Sequence, residues 1–294
     1  MSRWRCQRAA MMVVVLGAVV TISGCAADGG HGQPSSSGSV AMVVTSSPAA
    51  PWSKVELPSA GTRFDYQIGG AYPPPDGVRV VSRDRSASPV AGLYNVCYIN
   101  AFQAQPGADT VTWWQANHPG LLLRDTDGAL VMDLDWNEAL LDVSTDAKRA
   151  ELAAIEDAWV DDCRAKGYQA VEPDNLDSYQ RSHGLLTAAA SVAFASRLAR
   201  HAHEVGLAIA QKNTVELLNR RGAIGFDFAV TEQCGATDEC GQYAAAYNNR
   251  VFDVEYDQAG FAAARSSWGS RLSIVRRDRD VSTPGNPTYI CESA

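Results

Sequence analysis

From residue 63 onward, short apolar runs alternate with stretches in which apolar residues return every three or four positions. Eight runs read as β-strands: Arg63–Gly69, Val78–Ser82, Gly92–Ile99, Tyr168–Glu172, Gly206–Gln211, Phe226–Thr231, Val251–Glu255 and Leu272–Arg276. Across 146–166, Leu152, Ile155, Trp159 and Cys163 recur at helical spacing with acids and bases between them. Leu185, Ala189, Val192, Ala199 and Ala202 do the same across 185–205, and Gly167 and Gly206 stand where these helices should stop. Alternation of strand and helix predicts an α/β protein with a parallel sheet. Eight such units predict a (β/α)8 TIM-like barrel. An open doubly wound sheet is the alternative, but no GxGxxG follows a strand to support it. Residues 70–77 are a Pro-rich loop and only a short connection joins the second and third runs, so the early helices are expected to be shortened or missing.

Composition narrows the class further. The 294 residues are 46% hydrophobic and 20% charged, which excludes wholesale disorder and fibrous repeats. Net charge is −8, from 25 bases against 33 acids. Three of the bases, Arg3, Arg5 and Arg8, precede residue 26, where no acid occurs; the remainder is therefore 22 against 33, or −11. Such a surface repels phosphate backbones and argues against a nucleic-acid partner; it suits a cationic or neutral ligand.

The N-terminus reads as an address. The three arginines precede an uncharged apolar run, Met11–Val20, too short to span a bilayer permanently. It ends in Ile22-Ser23-Gly24-Cys25, which resembles a bacterial lipobox with Cys25 as the lipidated residue. Residues 1–25 are thus expected to be a lipoprotein signal, 26–60 a Gly/Ser/Pro-rich flexible tether and 61–294 the folded domain, exported as a monomer that is anchored to the bacterial membrane or, if Cys25 is incidental to a plain signal peptide, secreted. Export permits disulfides. Five cysteines remain beyond Cys25, an odd number that leaves at least one thiol over. Cys234 and Cys240 bracket a short loop and are the predicted local bridge; pairing among Cys97, Cys163 and Cys291 stays open. No CxxC pair points to zinc.

Barrel enzymes place chemistry where strands end. The fourth run leads into Glu172-Pro173-Asp174-Asn175-Leu176-Asp177-Ser178-Tyr179, with three carboxylates in six residues. Close carboxylates push one another's pKa values apart, which suits acid and base roles, although Pro, Asp and Asn also make ordinary solvated turns. The sixth run ends at Thr231-Glu232-Gln233-Cys234, and Glu232 follows an almost wholly apolar strand. Two carboxylates flanking a bond are what glycosidic cleavage requires. Gln211-Lys212-Asn213, Glu255-Tyr256, Asp65-Tyr66-Gln67, Tyr98 and Asn100 add amides, an amine, acids and aromatic rings to the same rim.

These residues carry a resemblance. Phe64-Asp65-Tyr66-Gln67, Val96-Cys97-Tyr98, Val171-Glu172-Pro173-Asp174-Asn175, Lys212-Asn213, the run from Phe226 to Cys234, and Val254-Glu255-Tyr256 resemble glycoside hydrolase family 114, in order and spacing, from about residue 63 to 257. That family comprises endo-α-1,4-polygalactosaminidases and relatives on a TIM-like barrel. The resemblance implies Asp174 as nucleophile or base and Glu232 as its acid/base partner. Asp65, Tyr66, Gln67, Tyr98, Glu172, Asp177, Tyr179, Lys212, Asn213, Glu255 and Tyr256 are the expected substrate-binding residues. The chain departs from the family at Gln169-Ala170, at Ile99-Asn100-Ala101-Phe102 and at Gln211, and Phe102 and Gln211 are expected to reshape the rim.

Other motifs are weaker. His201 and His203 are two apart on a predicted helix, point to different sides, and read as a solvated face rather than a metal pair. Asp125-Thr126-Asp127-Gly128 lacks the further ligands of an EF-hand and reads as a turn. Asp133, Asp135 and Trp136 are placed in a loop over the mouth, while Trp113 and Trp114 are either a stacking platform or core. No metal or cofactor is called for, because two carboxylates suffice. The expected function is internal cleavage of an α-1,4-linked, galactosamine-rich polysaccharide. The rival is a carbohydrate-binding surface lipoprotein without hydrolytic activity.

Overall fold

Every predicted run becomes a strand, with bounds within two residues of those read from the pattern. The computed structural model describes residues 55–294, so the signal, most of the tether and Cys25 lie outside the described residues. The strands and helices, in chain order, are β1 (Phe64–Gln67), β2 (Val80–Asp84), β3 (Tyr94–Asn100), β4 (Gln103–Ala104), α1 (Ala108–Asn117), β5 (Met132–Asp133), β6 (Glu138–Leu140), α2 (Asp146–Lys166), β7 (Ala170–Asp174), α3 (Ser178–Arg181), α4 (Ala188–Glu204), β8 (Ala208–Lys212), α5 (Arg221–Ile224), β9 (Phe228–Glu232), α6 (Cys240–Tyr247), β10 (Val251–Glu255), α7 (Gln258–Trp268), β11 (Ser273–Arg277) and β12 (Cys291–Ser293). The main sheet runs β1-β2-β3-β7-β8-β9-β10-β11-β12. Its first eight strands are parallel, and β12 pairs antiparallel with β11. Because β1 also lies beside β11, the sheet curls into a nearly closed eight-stranded TIM-like barrel.

Side chains of alternate strand positions fill the interior. Phe64, Val80, Val96, Ala170, Ala208, Ala210, Phe228, Val230, Phe252, Val254 and Val275 form one buried cluster drawn from all eight parallel strands. Large and small residues complement each other: Phe64 and Phe228 both pack edge-on against Phe252, at 5.3 and 5.8 Å between ring centroids, while the alanines of β7 and β8 leave them room. The opposite faces pack on the helices in a second, larger core. α2 is capped by Thr145, whose side chain accepts from the Lys148 amide, and stops at Gly167 with φ 97°. α4 starts later than its apolar pattern, because Thr187 caps it; Leu185 falls before the helix and is exposed.

The early helices are indeed missing, and a polar network takes their place. Asp65, Gln67 and Arg83 occupy the opposite strand faces from Tyr66 and Ser82. The Arg83 Nε donates to Gln67 Oε1 at 2.8 Å and its Nη2 to the Tyr72 carbonyl at 2.6 Å; the Tyr72 hydroxyl donates to Asp65 at 2.9 Å. At the β1/β11 seam, buried Arg277 donates to the carbonyls of Ile290 and Ser282 and lies 3.6 Å from Asp65. This ties the C-terminal segment to the first strand. Two disulfides form, Cys234–Cys240 as expected and Cys97–Cys163 between β3 and α2, leaving Cys291 as the free thiol among the described residues.

Between β3 and α2 the chain adds a small antiparallel sheet, ordered β4-β6-β5, which sequence pattern did not reveal. Phe102, expected at the rim, is buried there against Phe194. Gln211 is likewise fully buried; it accepts from the Tyr247 hydroxyl and donates to the carbonyls of Asn213 and Thr214. Neither side chain reshapes the rim. Both brace the barrel from outside.

Candidate active site

Three adjacent strands end in the same way. Asp174, Lys212 and Glu232 are the last residues of β7, β8 and β9, and each is followed by a residue with left-handed backbone: Asn175 at φ 66°, Asn213 at 46° and Gln233 at 61°. Asparagine tolerates that conformation better than most residues, which is the physical content of the Asp-Asn and Lys-Asn pairs. The turn breaks each strand at once and leaves the preceding side chain on the interior face of the barrel mouth. Pro173 contributes as well. The β7–β8 ladder pairs only Ala170 and Val171, and it stops before this residue without an N–H.

Lys212 is the hub. Its buried ammonium lies 3.1 Å from Asp174 Oδ1, 3.2 Å from Glu172 Oε1 and 3.8 Å from Glu232 Oε1. It also donates to the Tyr66 hydroxyl at 3.0 Å. Burial alone would lower the lysine's pKa, but the Asp174, Glu232 and Glu172 carboxylates prevail and hold it well above the usual value. Burial likewise works against an ionised Asp174, yet the Lys212 charge, the Tyr98 hydroxyl donating at 2.7 Å and the Asn175 amide together hold its carboxyl below the ordinary range. Glu232 accepts from the Tyr256 hydroxyl and, at 3.0 Å, from Asn213 Nδ2, while its own backbone N–H donates to Asn213 Oδ1.

Glu172 sits one layer deeper, with no exposed surface, accepting from Ser82 at 2.6 Å and Tyr66 at 2.9 Å. Burial raises its pKa, partly offset by Lys212 and Ser82. Tyr66 and Glu172, expected to contact substrate, therefore support Lys212 from beneath instead.

A further carboxylate had no sequence signal. Glu138 of β6 is brought over the mouth by the added sheet and accepts from Asn175 Nδ2 at 3.2 Å. Burial pushes its pKa up to about 7, against the amides of Asn100 and Asn175 and together with the neighbouring charges of Asp174 and Asp133. Asp133, expected in a covering loop, is buried in β5 and pairs with Arg181 at 2.6 Å. Trp136 stays on the surface under the Arg279 guanidinium, 4.6 Å from its ring centre.

The profile of Glycoside-hydrolase family GH114 matches residues 44–293. The chain belongs to this family. It is a glycoside hydrolase on a TIM-like barrel. Among solved structures, it is similar to Aspergillus fumigatus Ega3 in complex with galactosamine: 23% identity, 83% of this chain and 100% of that one covered, TM-score 0.65. It is also similar to the glycoside hydrolase domain of PelA from Pseudomonas aeruginosa: 17% identity, 79% and 97% covered, TM-score 0.54. No curated protein matches the chain by sequence.

The barrel of this family 114 hydrolase brings Tyr98, Asp174, Lys212, Asn213, Glu232 and Tyr256 together, with Tyr66 and Glu172 below them. Asp177 and Tyr179 lie on the rim but are engaged, Asp177 with Arg181 at 2.9 Å and Tyr179 with Glu216. Asp65, Gln67 and Glu255 are not brought to the mouth. All three sit on the outer faces of their strands, one position out of phase with Tyr66 and Tyr256. Glu255 accepts from the Gly235 amide at 2.6 Å behind the disulfide loop, beside buried Asp253, which accepts from Thr231 and the Cys234 amide. These carboxylates fasten the loop that follows Glu232. His201 and His203 diverge as expected but are not merely solvated: their rings meet Asp161 at 2.9 Å and Asp227 at 2.8 Å. Asp125 closes its turn by accepting from the amides of Asp127 and Ala129.

Proposed function

We propose that this hydrolase cleaves an α-1,4-linked, galactosamine-rich polysaccharide internally, with Asp174 as nucleophile and Glu232 as acid/base. The observation that carries the reading is the single ammonium of Lys212 touching both carboxylates. Its two contacts limit the closest Asp174–Glu232 oxygens to at most about 6.9 Å, which is compatible with the roughly 5–5.5 Å spacing of retaining enzymes. Asp174, kept ionised by Lys212 and Tyr98, attacks the anomeric carbon as Glu232 protonates the departing oxygen. Glu232 then takes a proton from water, whose oxygen displaces Asp174 and regenerates the carboxylate. Galactosamine in the similar Ega3 structure supports the substrate class, as do the carboxylates of Asp174, Glu232 and Glu138 around the mouth, which suit a chain carrying ammonium groups.

The test is digestion of a partly de-N-acetylated α-1,4-galactosamine polymer, with product anomers followed by NMR. Wild type should release oligosaccharides whose first anomer is α. Asp174→Asn and Glu232→Gln should each cost several orders of magnitude in turnover with the fold intact. Glu172→Gln should be milder, since this residue meets Lys212 rather than sugar. Full turnover in both Asp174→Asn and Glu232→Gln would overturn the assignment. We further propose that residues 1–25 direct export and that Cys25 carries a lipid anchor. Cys25→Ser should then release active protein from membranes, and its retention after a salt wash would refute the anchor.

A further inference from the structure

Behind the barrel wall, the chain that follows Glu232 is held amide by amide to β10. The Gln233 N–H donates to the Val254 carbonyl at 2.8 Å, continuing the ladder between β9 and β10. The next amides meet side chains instead of backbone. The Cys234 N–H donates to Asp253 Oδ1 at 3.2 Å, an oxygen that also accepts from the Thr231 hydroxyl at 2.8 Å. The Gly235 N–H donates to Glu255 Oε1 at 2.6 Å, and the Ala236 amide bonds to the same carboxylate. Both carboxylates are fully buried. They also bond to each other. Burial together with the Glu255 charge holds the Asp253 carboxyl well above the usual range, so Asp253 supplies the proton between them.

Helix α7 closes the other side of this loop. A Cβ on Gly235 would strike the Ala264 methyl and the Gly260 carbonyl, and one on Gly260 would strike Glu255 and Ala236. The loop is therefore packed between β10 and α7 at contact distance, with the Cys234–Cys240 bridge at its far end.

Its backbone needs such a hold. The turns after Asp174 and Lys212 put asparagine in the left-handed region, whereas the turn after Glu232 puts Gln233 there, at φ 61°. The short asparagine amide eases that conformation by bonding locally, and the longer glutamine side chain does not. Two of the three turns are thus encoded by their own residues. The third is imposed by carboxylates from the neighbouring strand. Asp253 and Glu255 do not reach the mouth, so their influence on the reaction passes through the backbone at Glu232.

We propose that Asp253 and Glu255 form a clamp that positions Glu232 for proton transfer by holding Gln233 in its left-handed turn. The inference rests on the acid/base role proposed for Glu232. It makes the pair positioning residues that touch no substrate.

The experiment separates proton transfer from folding with two substrates. One is the de-N-acetylated α-1,4-galactosamine polymer, whose departing oxygen must be protonated. The other is the 2,4-dinitrophenyl α-glycoside of a galactosamine oligomer, assayed with sodium azide, which needs neither acid nor base. On the polymer, Glu255→Ala should lower kcat by about a hundredfold, the scale of a 1 Å misplacement, with KM little changed. On the aryl glycoside with azide, that loss should largely disappear. Glu255→Gln keeps an oxygen for the loop amides and offers Asp253 an N–H in place of the shared proton, so it should recover most of the kcat that Glu255→Ala loses. Gln233→Asn added to Glu255→Ala should recover part of it, because the turn then holds itself. Undiminished kcat of Glu255→Ala on the polymer, or an equal loss on both substrates, would overturn the clamp alone. Full turnover by Glu232→Gln, or no cleavage of either substrate by wild type, would overturn the proposed function and the clamp with it.

Discussion

Replacing Lys212 by methionine keeps an unbranched chain of similar length and deletes one buried charge. The ammonium lies 3.1 Å from Asp174 and 3.2 Å from Glu172. At an effective dielectric of about 20, each contact is worth about 5 kcal/mol of attraction. Desolvating the ammonium costs several kcal/mol in return. The variant keeps the carboxylates in place without their counter-charge, so the expected loss at pH 7 is about 3–5 kcal/mol, as for other broken buried pairs. The pH dependence is more diagnostic than the size. In wild type the Asp174 carboxyl is depressed, so its contribution is present above the unfolded value and lost only as pH falls through the lower folded one. Without Lys212, burial dominates Asp174 and also Glu172, whose carboxyl burial already raises. Both then bind protons more readily folded than unfolded, and the variant gains stability as pH falls from 7 toward 5. Its deficit relative to wild type should therefore shrink over that interval. Urea unfolding at pH 5, 6, 7 and 8, followed by tryptophan fluorescence with disulfides intact, measures it. Lys212→Met/Glu172→Gln should be less destabilised than the single variant. A deficit below about 1 kcal/mol at pH 7, or one equal at pH 5 and 7, would refute the hub role.

Two other outcomes follow from single observations. Glu138 has a folded pKa of about 7, above its unfolded value, so it costs stability progressively as pH rises from the unfolded value through the folded one. Glu138→Gln should therefore stabilise the protein by about 1–3 kcal/mol at pH 8 and hardly at all at pH 4.5, read as the shift in urea midpoint. The Cys97–Cys163 bridge closes a loop with a sequence separation of 66, against 6 for Cys234–Cys240. On chain entropy the longer loop is worth about 4 kcal/mol and the shorter about 2. Cys97→Ser/Cys163→Ser should thus lower the denaturation midpoint more than Cys234→Ser/Cys240→Ser.

Local pattern was enough for the barrel's skeleton. Each strand is a short apolar run bounded by turn residues, and run, cap and stop are properties of neighbouring residues. Strand ends follow from the same pattern, so Asp174, Lys212 and Glu232 are legible in the sequence as mouth residues. The short bridge from Cys234 to Cys240 was legible for the same reason. Which face of a strand looks inward was not. In a parallel barrel both faces are buried, so the hydrophobic pattern carries little phase. Asp65, Gln67 and Glu255 share the strand-end pattern of mouth residues although they stand one residue out of step with Tyr66 and Tyr256. Long-range pairing escaped too, because nothing near Cys97 names Cys163, and nothing near Glu138 says that β6 will fold back over Asn175. The depth of Glu172 below Asp174 is a matter of barrel layering. Two residues of equal parity differ in role only because one lies beneath Lys212 and the other beside it. Sequence therefore determined the elements and the chemistry at their ends. The tertiary structure decided phase, depth and cross-chain partners, because these depend on which buried surface closes against which.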